Sequence, residues 1–345
     1  MSILINFSKT VAPDLEMNRS QQVFPLARLL VLPFLAAVAA FGQENATTSS
    51  EGSLKAFFSS HGFGGASLQR RFGNHLFLPV TINGKRSALM VDTGAPVTII
   101  DKNSVGSLGL SPRKTGANVG GVWGMSSERY ALGQLQTLVL GNCTLMNVPV
   151  ALADQSGMNY YNKLSHLDGL LGAHEMYKFG VVIDCARQNL YLNPKGPSRD
   201  VTQKLGQFLL TRGFIRIPMR FNSSHHFEVE GAINGHPAGF IVDTGSGTTL
   251  LSKQPAVAAG VLPGPLPLAS EGADGRVERL NSGEVKELSI GTFKISNAEV
   301  TLGRVSPAVL SGSNIGLLGE EYLSWNFGII DISGLSLYLR HPDRR

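Results

Sequence analysis

Residues 89–94 read Leu-Met-Val-Asp-Thr-Gly, and residues 240–245 read Phe-Ile-Val-Asp-Thr-Gly. The similarity extends upstream, because residues 75–84 align with residues 226–235 without a gap and at one constant offset (243 − 92 = 151). A repeat of this length is well beyond the period of a solenoid, whose units have roughly 20 to 50 residues. The sequence therefore predicts two lobes that share one duplicated fold, each with an acid at the end of an apolar strand.

A second repeated element follows each Asp-Thr-Gly triplet: residues 170–172 and residues 317–319 both read Leu-Leu-Gly. Most other apolar residues occur in short runs bounded by Gly, Asn or Pro, which is typical of β-strands. Asn-Gly pairs at residues 83–84 and 234–235 each join two such runs, which is a strong signal for a hairpin. Helices are predicted only after each Leu-Leu-Gly and within residues 203–210. We therefore expect two compact all-β units.

The two acids suggest a specific chemistry. An Asp that is followed by Thr-Gly lies in a tight turn, where backbone N–H groups can hydrogen-bond its carboxylate. If two such turns meet across a pseudo-two-fold axis, the carboxylates lie within about 3 Å and cannot both ionise, so they share a proton. The ionised Asp then serves as general base on a water, and the protonated Asp polarises a substrate carbonyl. This chemistry hydrolyses an amide with neither a metal ion nor a cofactor, and we expect none.

These motifs resemble those of retropepsin-like aspartic proteases, with both lobes fused in one chain, and the resemblance spans about Asn74 to Arg340. It implies two retropepsin-like β-barrel lobes around a cleft, with Asp92 and Asp243 as the catalytic dyad. The same resemblance implies that four residues support the dyad directly, namely Thr93, Gly94, Thr244 and Gly245. It also implies that each Leu-Leu-Gly packs behind an acid-bearing turn, through Leu171, Gly172, Leu318 and Gly319.

Proteins of this family cover their cleft with a glycine-rich hairpin, the flap. Residues 120–124 and 271–275 are glycine-rich and lie at suitable distances after the two triplets. On this basis we expect flap or substrate contacts from Gly121, Trp123, Gly272 and Gly275. Trp123 either lies over the substrate or is buried under a loop.

The N-terminal sequence predicts export. Residues 29–41 are apolar, follow Arg28 and end in small residues, which is the layout of a secretory signal. An uncleaved membrane anchor is the alternative, and Met17 would be a more typical start of the chain. We therefore expect an extracytoplasmic protein, periplasmic or secreted, that is held at a membrane only if this segment is retained. The predicted organisation is a signal peptide or anchor at 1–41, a flexible spacer or propeptide at 42–73, lobe one at 74–193, an inter-lobe linker at 194–212 and lobe two at 213–345.

Composition and the remaining motifs exclude other classes of function. The net charge of +5 over 345 residues is mild and the basic residues are scattered, so we expect no nucleic-acid partner. His174-Glu175 lacks the second histidine of a zinc-protease motif, and we expect no metal site. Cys143 and Cys185 could form a disulfide in an oxidising compartment or remain separate buried thiols.

The sequence thus predicts an exported, single-chain aspartic endopeptidase. We expect it to be a monomer whose substrate is a peptide or an unfolded protein in an extended conformation. One alternative is a catalytically inactive peptide- or protein-binding module of the same fold. Another is a membrane-tethered scaffold held by residues 29–41.

Overall fold

A computed structural model describes residues 3–5, 53–121, 124–155, 167–271, 277–306, 309–310 and 312–342. The first half contains, in chain order, β1 Ile3–Ile5, α1 Leu54–Ser60, β2 Gly64–Ser67, β3 Gln69–Arg70, β4 Leu76–Ile82, β5 Lys85–Val91, β6 Ile99–Asp101, β7 Arg113–Gly121, β8 Gly124–Leu140, β9 Cys143–Ala153, β10 Gly169–Leu171, α2 Ala173–Lys178, β11 Val182–Asp184 and β12 Asn189–Leu192. Short 3-10 helices occupy Phe72–Asn74 and Lys102–Ser104.

The second half repeats this order with small changes. It contains α3 Arg199–Leu210, β13 Ile215–Pro218, β14 Arg220–Phe221, β15 Phe227–Ile233, β16 His236–Asp243, β17 Leu250–Ser252, α4 Lys253–Ala258, β18 Leu262–Glu271, β19 Val277–Ile290, β20 Phe293–Gly303, β21 Asn314–Gly319, α5 Glu320–Trp325, β22 Ile329–Asp331 and β23 Ser336–Leu339. Short helices lie after both Leu-Leu-Gly elements, where the sequence predicts them.

Each lobe is a closed six-stranded barrel with the same strand order. In lobe one the order is β8, β9, β6, β10, β5, β4, and the pairing of β4 with β8 closes the barrel. In lobe two the order is β19, β20, β17, β21, β16, β15, and the pairing of β15 with β19 closes it. The predicted all-β fold of two retropepsin-like lobes related by a pseudo-two-fold axis is confirmed.

The hairpins that lead to both acids are built alike. Asn83 and Asn234 have positive φ angles of 48° and 51°, and the glycines that follow have 78° and 81°. This pair of left-handed residues forms the two-residue turn that matches the twist of a β-hairpin. The turns therefore fix the register of β4 with β5 and of β15 with β16, and with it the place of each Asp-Thr-Gly.

A third sheet joins the lobes and has the strand order β13-β23-β22-β11-β12-β2. Its central pair is β11 with β22, where Ile183 lies opposite Ile330. These two isoleucines are equivalent positions of the repeat, so the pseudo-two-fold axis passes between them. The sheet holds the two barrels in one fixed arrangement.

Residues 53–73, the described part of the segment expected to be a flexible spacer or propeptide, contain regular secondary structure. Within them, α1 buries Phe58 completely and stacks it on Tyr191, with ring centroids 4.4 Å apart. The strand β2 pairs with β12 and forms one edge of the sheet between the lobes. This part of the chain is an integral element of the fold because its apolar side chains complete a buried cluster. The polar composition of the preceding residues hid that contribution.

The segment predicted as an inter-lobe linker contains the longest helix of the described residues, α3. Ser198 caps it by accepting a hydrogen bond from the N–H of Val201, at 3.4 Å. The helix buries Val201, Leu205 and Leu209 in the same cluster as Phe58. It therefore covers one face of the sheet between the lobes and does not act as an open tether.

Three further predictions concern the cysteines and the N-terminus. Cys143 and Cys185 are both buried free thiols, so the structure corresponds to the second alternative of the sequence analysis. Across the described ranges, no helix combines the length and the hydropathy needed to cross a bilayer. Residues 29–41 and Met17, on which the signal or anchor prediction depends, lie outside those ranges.

Candidate active site

The two predicted acids lie in matching turns at the ends of β5 and β16, and both are completely buried. Asp92 Oδ1 accepts hydrogen bonds from the N–H groups of Gly94 and Ala95, at 2.9 and 3.0 Å. Asp243 Oδ1 accepts the equivalent bond from the N–H of Gly245, at 2.9 Å. Each carboxylate is therefore oriented by the backbone that follows it.

The two turns are fastened to each other by their threonines. The hydroxyl of Thr93 donates to the carbonyl of Val242 and that of Thr244 to the carbonyl of Val91, both at 2.8 Å. In return, the N–H of Thr93 donates to Thr244 Oγ1 at 3.1 Å, and the N–H of Thr244 donates to Thr93 Oγ1 at 3.0 Å. Every bond in one direction has its counterpart in the other, so neither turn is complete without the opposite lobe.

This arrangement brings the two carboxyl groups together. A Cβ atom placed on Gly245 would lie 2.3 Å from the Cγ of Asp92, so the carboxyl of lobe one packs directly against the lobe-two turn. Burial raises the pKa of Asp92 well above its usual value, and the negative charge of Asp243 raises it further. A hydrogen bond between the two side chains acts in the same direction, whereas the bond from the N–H of Gly94 opposes it. The pair therefore holds a proton at pH values where a free aspartate is ionised.

Both Leu-Leu-Gly elements lie behind the acid-bearing turns. The strand β10 runs parallel to β5, with Leu171 opposite Val91, and β21 runs parallel to β16, with Leu318 opposite Val242. The glycines that follow pack against backbone: a Cβ atom on Gly172 would lie 2.2 Å from the carbonyl carbon of Val97, and one on Gly319 would meet Thr248 at 2.2 Å. Only glycine fits at these two positions, because backbone atoms cannot move aside as a side chain can.

Two more threonines, which sequence reasoning missed, support the turns from behind. The side chain of Thr98 accepts a hydrogen bond from the N–H of Gly172 at 3.1 Å, and Thr249 accepts one from Gly319 at 3.3 Å. They lie at the same offset as the two catalytic candidates, so the repeat contained a signal for them. In lobe one the buried Glu175 also accepts from the N–H and hydroxyl of Thr98, at 2.9 and 2.6 Å.

Sequence reasoning also missed the charged groups near the turns. Glu320 follows Gly319 directly and is fully buried, yet its side chain accepts a hydrogen bond from Arg70 at 3.0 Å. Arg70 comes from β3 and also donates to the carbonyl of Cys185 at 2.7 Å and to the hydroxyl of Ser324. Burial raises the pKa of Glu320 to about 7, although the Arg70 guanidinium lowers it. Arg70 and Glu320 are 250 residues apart, so no local motif in the sequence predicts this ion pair.

The hairpins predicted as flaps exist in both lobes as long two-stranded elements. In lobe one, β7 and β8 pair up to Gly121, which lies opposite Gly124. In lobe two, β18 and β19 pair up to Glu271, which lies opposite Val277. Trp123, Gly272 and Gly275 lie outside the described residues, so their predicted contacts with substrate stay predictions. Within the described part of the chain, no cluster of three or more His, Cys, Asp or Glu residues is arranged to hold a metal ion.

A search of solved structures found matches at low sequence identity. The chain is similar to a retropepsin-like aspartic protease from Rickettsia conorii, with 21% identity, a TM-score of 0.27 and coverage of 38% of this chain and 90% of that one. It is similar to Basic 7S globulin from soybean, with 10% identity, a TM-score of 0.45 and coverage of 81% and 94%. It is also similar to the aspartic proteinase from Irpex lacteus, with 12% identity, a TM-score of 0.45 and coverage of 81% and 98%.

Comparison at the level of sequence is decisive for the family. A search among curated proteins found no matching sequence. In contrast, the family profile described as aspartyl protease matches residues 78–174 and 229–322, one segment in each lobe and together more than half of the chain. The resemblance inferred from the repeated motifs is therefore confirmed. The chain belongs to the aspartyl protease family.

Proposed function

We propose that this protein is an endopeptidase in which Asp92 and Asp243 activate a water molecule for attack on a peptide bond. The observation that supports the proposal is the pair of buried carboxyl groups, each oriented by backbone N–H groups and each locked in place by the threonine of the opposite lobe. A binding module has no need for two acids that repel each other in a buried site. A hydrolase that activates a water with one acid as the base, and polarises the substrate carbonyl with the other, needs that arrangement.

The raised pKa of Asp92 supports a division of roles within the pair. In this proposal Asp92 is the acid of the pair and Asp243 is the base. Asp243 takes a proton from the water as its oxygen bonds to the scissile carbonyl carbon, while Asp92 donates its proton to the carbonyl oxygen. The tetrahedral intermediate then collapses: the C–N bond breaks, the amine nitrogen takes a proton from Asp243, and Asp92 recovers its proton from a hydroxyl of the intermediate. No covalent enzyme intermediate forms.

The long hairpins of both lobes support an extended substrate. A strand edge such as that of β18 can hydrogen-bond the backbone of an extended peptide, which favours unfolded protein as substrate. Because both lobes and both acids are in one chain, we propose that the active form is a monomer. The apolar segment at residues 29–41 supports export, which cell fractionation of the full chain would test: recovery of the protein only in the cytoplasm contradicts it.

The test of catalysis is cleavage of a denatured protein by the purified chain from acid to neutral pH. Asp92→Asn and Asp243→Asn should each lower the rate by about 10²- to 10⁴-fold, the usual contribution of an acid or base. Asp200→Asn is the matched control, because Asp200 is exposed on α3 and pairs only with Lys204, at 2.7 Å. Wild type that binds peptides without cleaving them would show a binding module instead. Full activity in either dyad variant would also refute the proposal.

A further inference from the structure

A cavity of about 620 Å³ lies between α3 and the sheet that joins the lobes. Its walls are α3, the end of the sheet formed by β13 and β23, and Tyr177 of α2 in lobe one. The volume is within the range of about 300–1,000 Å³ that small-molecule sites occupy. Elements of both lobes therefore border one space of the size that a small ligand needs.

The cavity is separate from the dyad. Tyr338 of β23 lines it, whereas Leu337 and Leu339 on either side of Tyr338 lie in the main core, together with Val91 and Val242. Successive residues of a strand point to opposite faces of the sheet. The cavity is therefore on the face that is turned away from the acid-bearing strands, and a ligand in it would not touch either acid.

The charge of the lining residues is positive. Arg199 and Arg216 both border the cavity, and the lining residues in the described part of the chain include no acid. Arg216 lies opposite Tyr338 in the ladder of β13 with β23, and its Nε donates to Ser336 Oγ at 2.9 Å. Neither arginine forms an ion pair with a described residue. Two guanidinium groups without a carboxylate partner favour an anion as ligand.

Two of the lining residues are unfavourable for the helix that carries them. Arg199 is the first residue of α3, where a cation opposes the helix dipole. Gly206 is in the helix interior, where glycine is less stable than alanine. Outside α3, a Cβ atom on Gly206 would come within 4 Å of only one atom of the described residues, Tyr338 Oη, at 3.1 Å. Since neither residue stabilises α3 and both border the cavity, a binding role explains them better than the fold does.

The cavity also has an apolar side. Tyr177 and Leu210 line it, and their side chains are 42% and 53% exposed. Large apolar side chains that remain exposed beside a charged group are suited to a ligand with an apolar body and a charged end. The lining therefore favours an amphipathic anion over a simple inorganic one.

One acid behind the cavity wall limits the charge of the ligand. Asp331 is buried, and a Cβ atom on Gly334, which lines the cavity, would lie 2.2 Å from its Oδ2. Burial raises the pKa of Asp331, and the charge of Arg216 is among the factors that lower it. When Asp331 is ionised, the two arginines and this acid leave one net positive charge. A singly charged carboxylate balances that charge better than a doubly charged phosphate does.

We propose that this cavity binds a small monocarboxylate with an apolar body. The carboxylate interacts with Arg199 and Arg216, and the apolar body lies against Tyr177 and Leu210. The proposal does not depend on the proposed function, because the cavity and the dyad share no residue.

Isothermal titration calorimetry of the full chain with octanoate tests the proposal. Octanoate should bind at one saturable site, and octanamide, which has the same length and no charge, should bind at least about 10-fold more weakly. Arg199→Gln and Arg216→Gln should each raise the Kd for octanoate by about 10- to 150-fold, the usual loss for a hydrogen bond to a charged group. Gly206→Leu should also weaken binding, because its side chain occupies part of the cavity.

Three controls separate a lost site from a damaged fold or from binding in the cleft. Lys204→Gln removes an exposed cation of the same helix, which pairs with Asp200, and should leave the Kd unchanged. Asp92→Asn should also bind octanoate as wild type does. Urea unfolding should show no loss of stability in Arg199→Gln, since the substitution removes a cation from the N-terminus of α3. If Gly206→Leu does not fold, the two arginine variants decide.

Four outcomes would overturn the proposal. The first is the absence of saturable octanoate binding, and the second is an unchanged Kd in both arginine variants. The third is a loss of binding in Asp92→Asn but in neither arginine variant, which would place octanoate in the cleft. The fourth is tighter binding of inorganic phosphate than of octanoate, which would make the ligand a different class of anion. Cleavage of a denatured protein, or its absence, leaves all four results unaffected.

Discussion

The acid-bearing turns of the two lobes have the same backbone and different surroundings. Asp92 and Asp243 accept equivalent hydrogen bonds, and the bond from the N–H of Ala173 to Ala95 recurs from Glu320 to Ser246, at 2.8 Å in both cases. The residues that donate these two backbone bonds have different side chains, Ala173 in lobe one and Glu320 in lobe two. Lobe one has a small apolar residue at the position where lobe two buries a carboxylic acid.

This difference separates two kinds of constraint on a duplicated site. The geometry of the turn has been kept in both halves, since a shift of either carboxylate would separate the pair. The charges outside the turn differ between the lobes: Arg70, Glu228 and Glu320 have no charged counterpart in the other lobe. A symmetrical fold thus carries an unsymmetrical set of charges.

Residues 53–73 precede lobe one and pack against the sheet between the lobes. Phe58→Ala should lower the free energy of unfolding by about 3–5 kcal/mol, because it empties a completely buried site stacked on Tyr191. Phe57→Ala is the matched control on the same helix and should cost less than half as much, since Phe57 is only partly buried. Urea unfolding of both variants measures the difference. Equal, small effects would mean that residues 53–73 are a spacer after all.

Arg70 joins that segment to lobe two. Arg70→Met should lower the stability at pH 8, where Glu320 is mostly ionised, by about 3 kcal/mol, because it leaves the buried carboxylate of Glu320 without its cation. The double variant with Glu320→Gln should recover at least half of that loss. Lys204→Met removes an exposed pair with Asp200 and should cost only about 0.3–0.5 kcal/mol. A double variant as unstable as Arg70→Met would show that the lost packing of the arginine, and not the buried charge, is responsible.

Glu320 should add a pH-dependent component to the stability of the fold. Burial raises its pKa from 4.5 to about 7, so between these values the folded protein holds a proton that the unfolded chain has released. The contribution of Glu320 to the free energy of unfolding is therefore highest below pH 4.5 and falls by roughly 2–3 kcal/mol as the pH rises through this window. Glu320→Gln should lack this component, which urea unfolding from pH 4.5 to 8 measures. An unchanged slope in the variant would contradict the assignment.

The reciprocal hydrogen bonds of Thr93 and Thr244 should contribute equally to the free energy of unfolding. Thr93→Val and Thr244→Val should each cost about 2 kcal/mol, because each leaves a buried carbonyl and a buried N–H without partners. Thr→Ser at either position keeps the hydroxyl and should cost much less. Chemical denaturation of the four variants makes the comparison. A large difference between the two valine variants would mean that the bonds are not equivalent in solution.

The repeat alone was enough to predict the two lobes, the strand ends and both acids. These features follow from local patterns, an apolar run and a triplet, that recur in matching order. The supporting Thr98 and Thr249 were also within reach, because they share the same offset.

The remaining features depend on contacts that no local pattern reports. Arg70 and Glu320 are 250 residues apart, and their pairing follows from the docking of β3 against lobe two. The helix α1 has only 7 residues and is too short to be stable alone. It is stabilised by the packing of Phe58 on Tyr191.

The reciprocal bonds of Thr93 and Thr244 also bear on when the site can form. The partners are 151 residues apart, and the pairing of Arg70 with Glu320 spans 250. During synthesis the first lobe emerges from the ribosome before these partners exist, and its acid-bearing turn stays without the hydrogen bonds that Val242 and Thr244 provide. The paired acids are thus assembled only after nearly the whole chain has been made. Under the proposed function, an incomplete or truncated chain lacks the assembled pair of acids and is inactive.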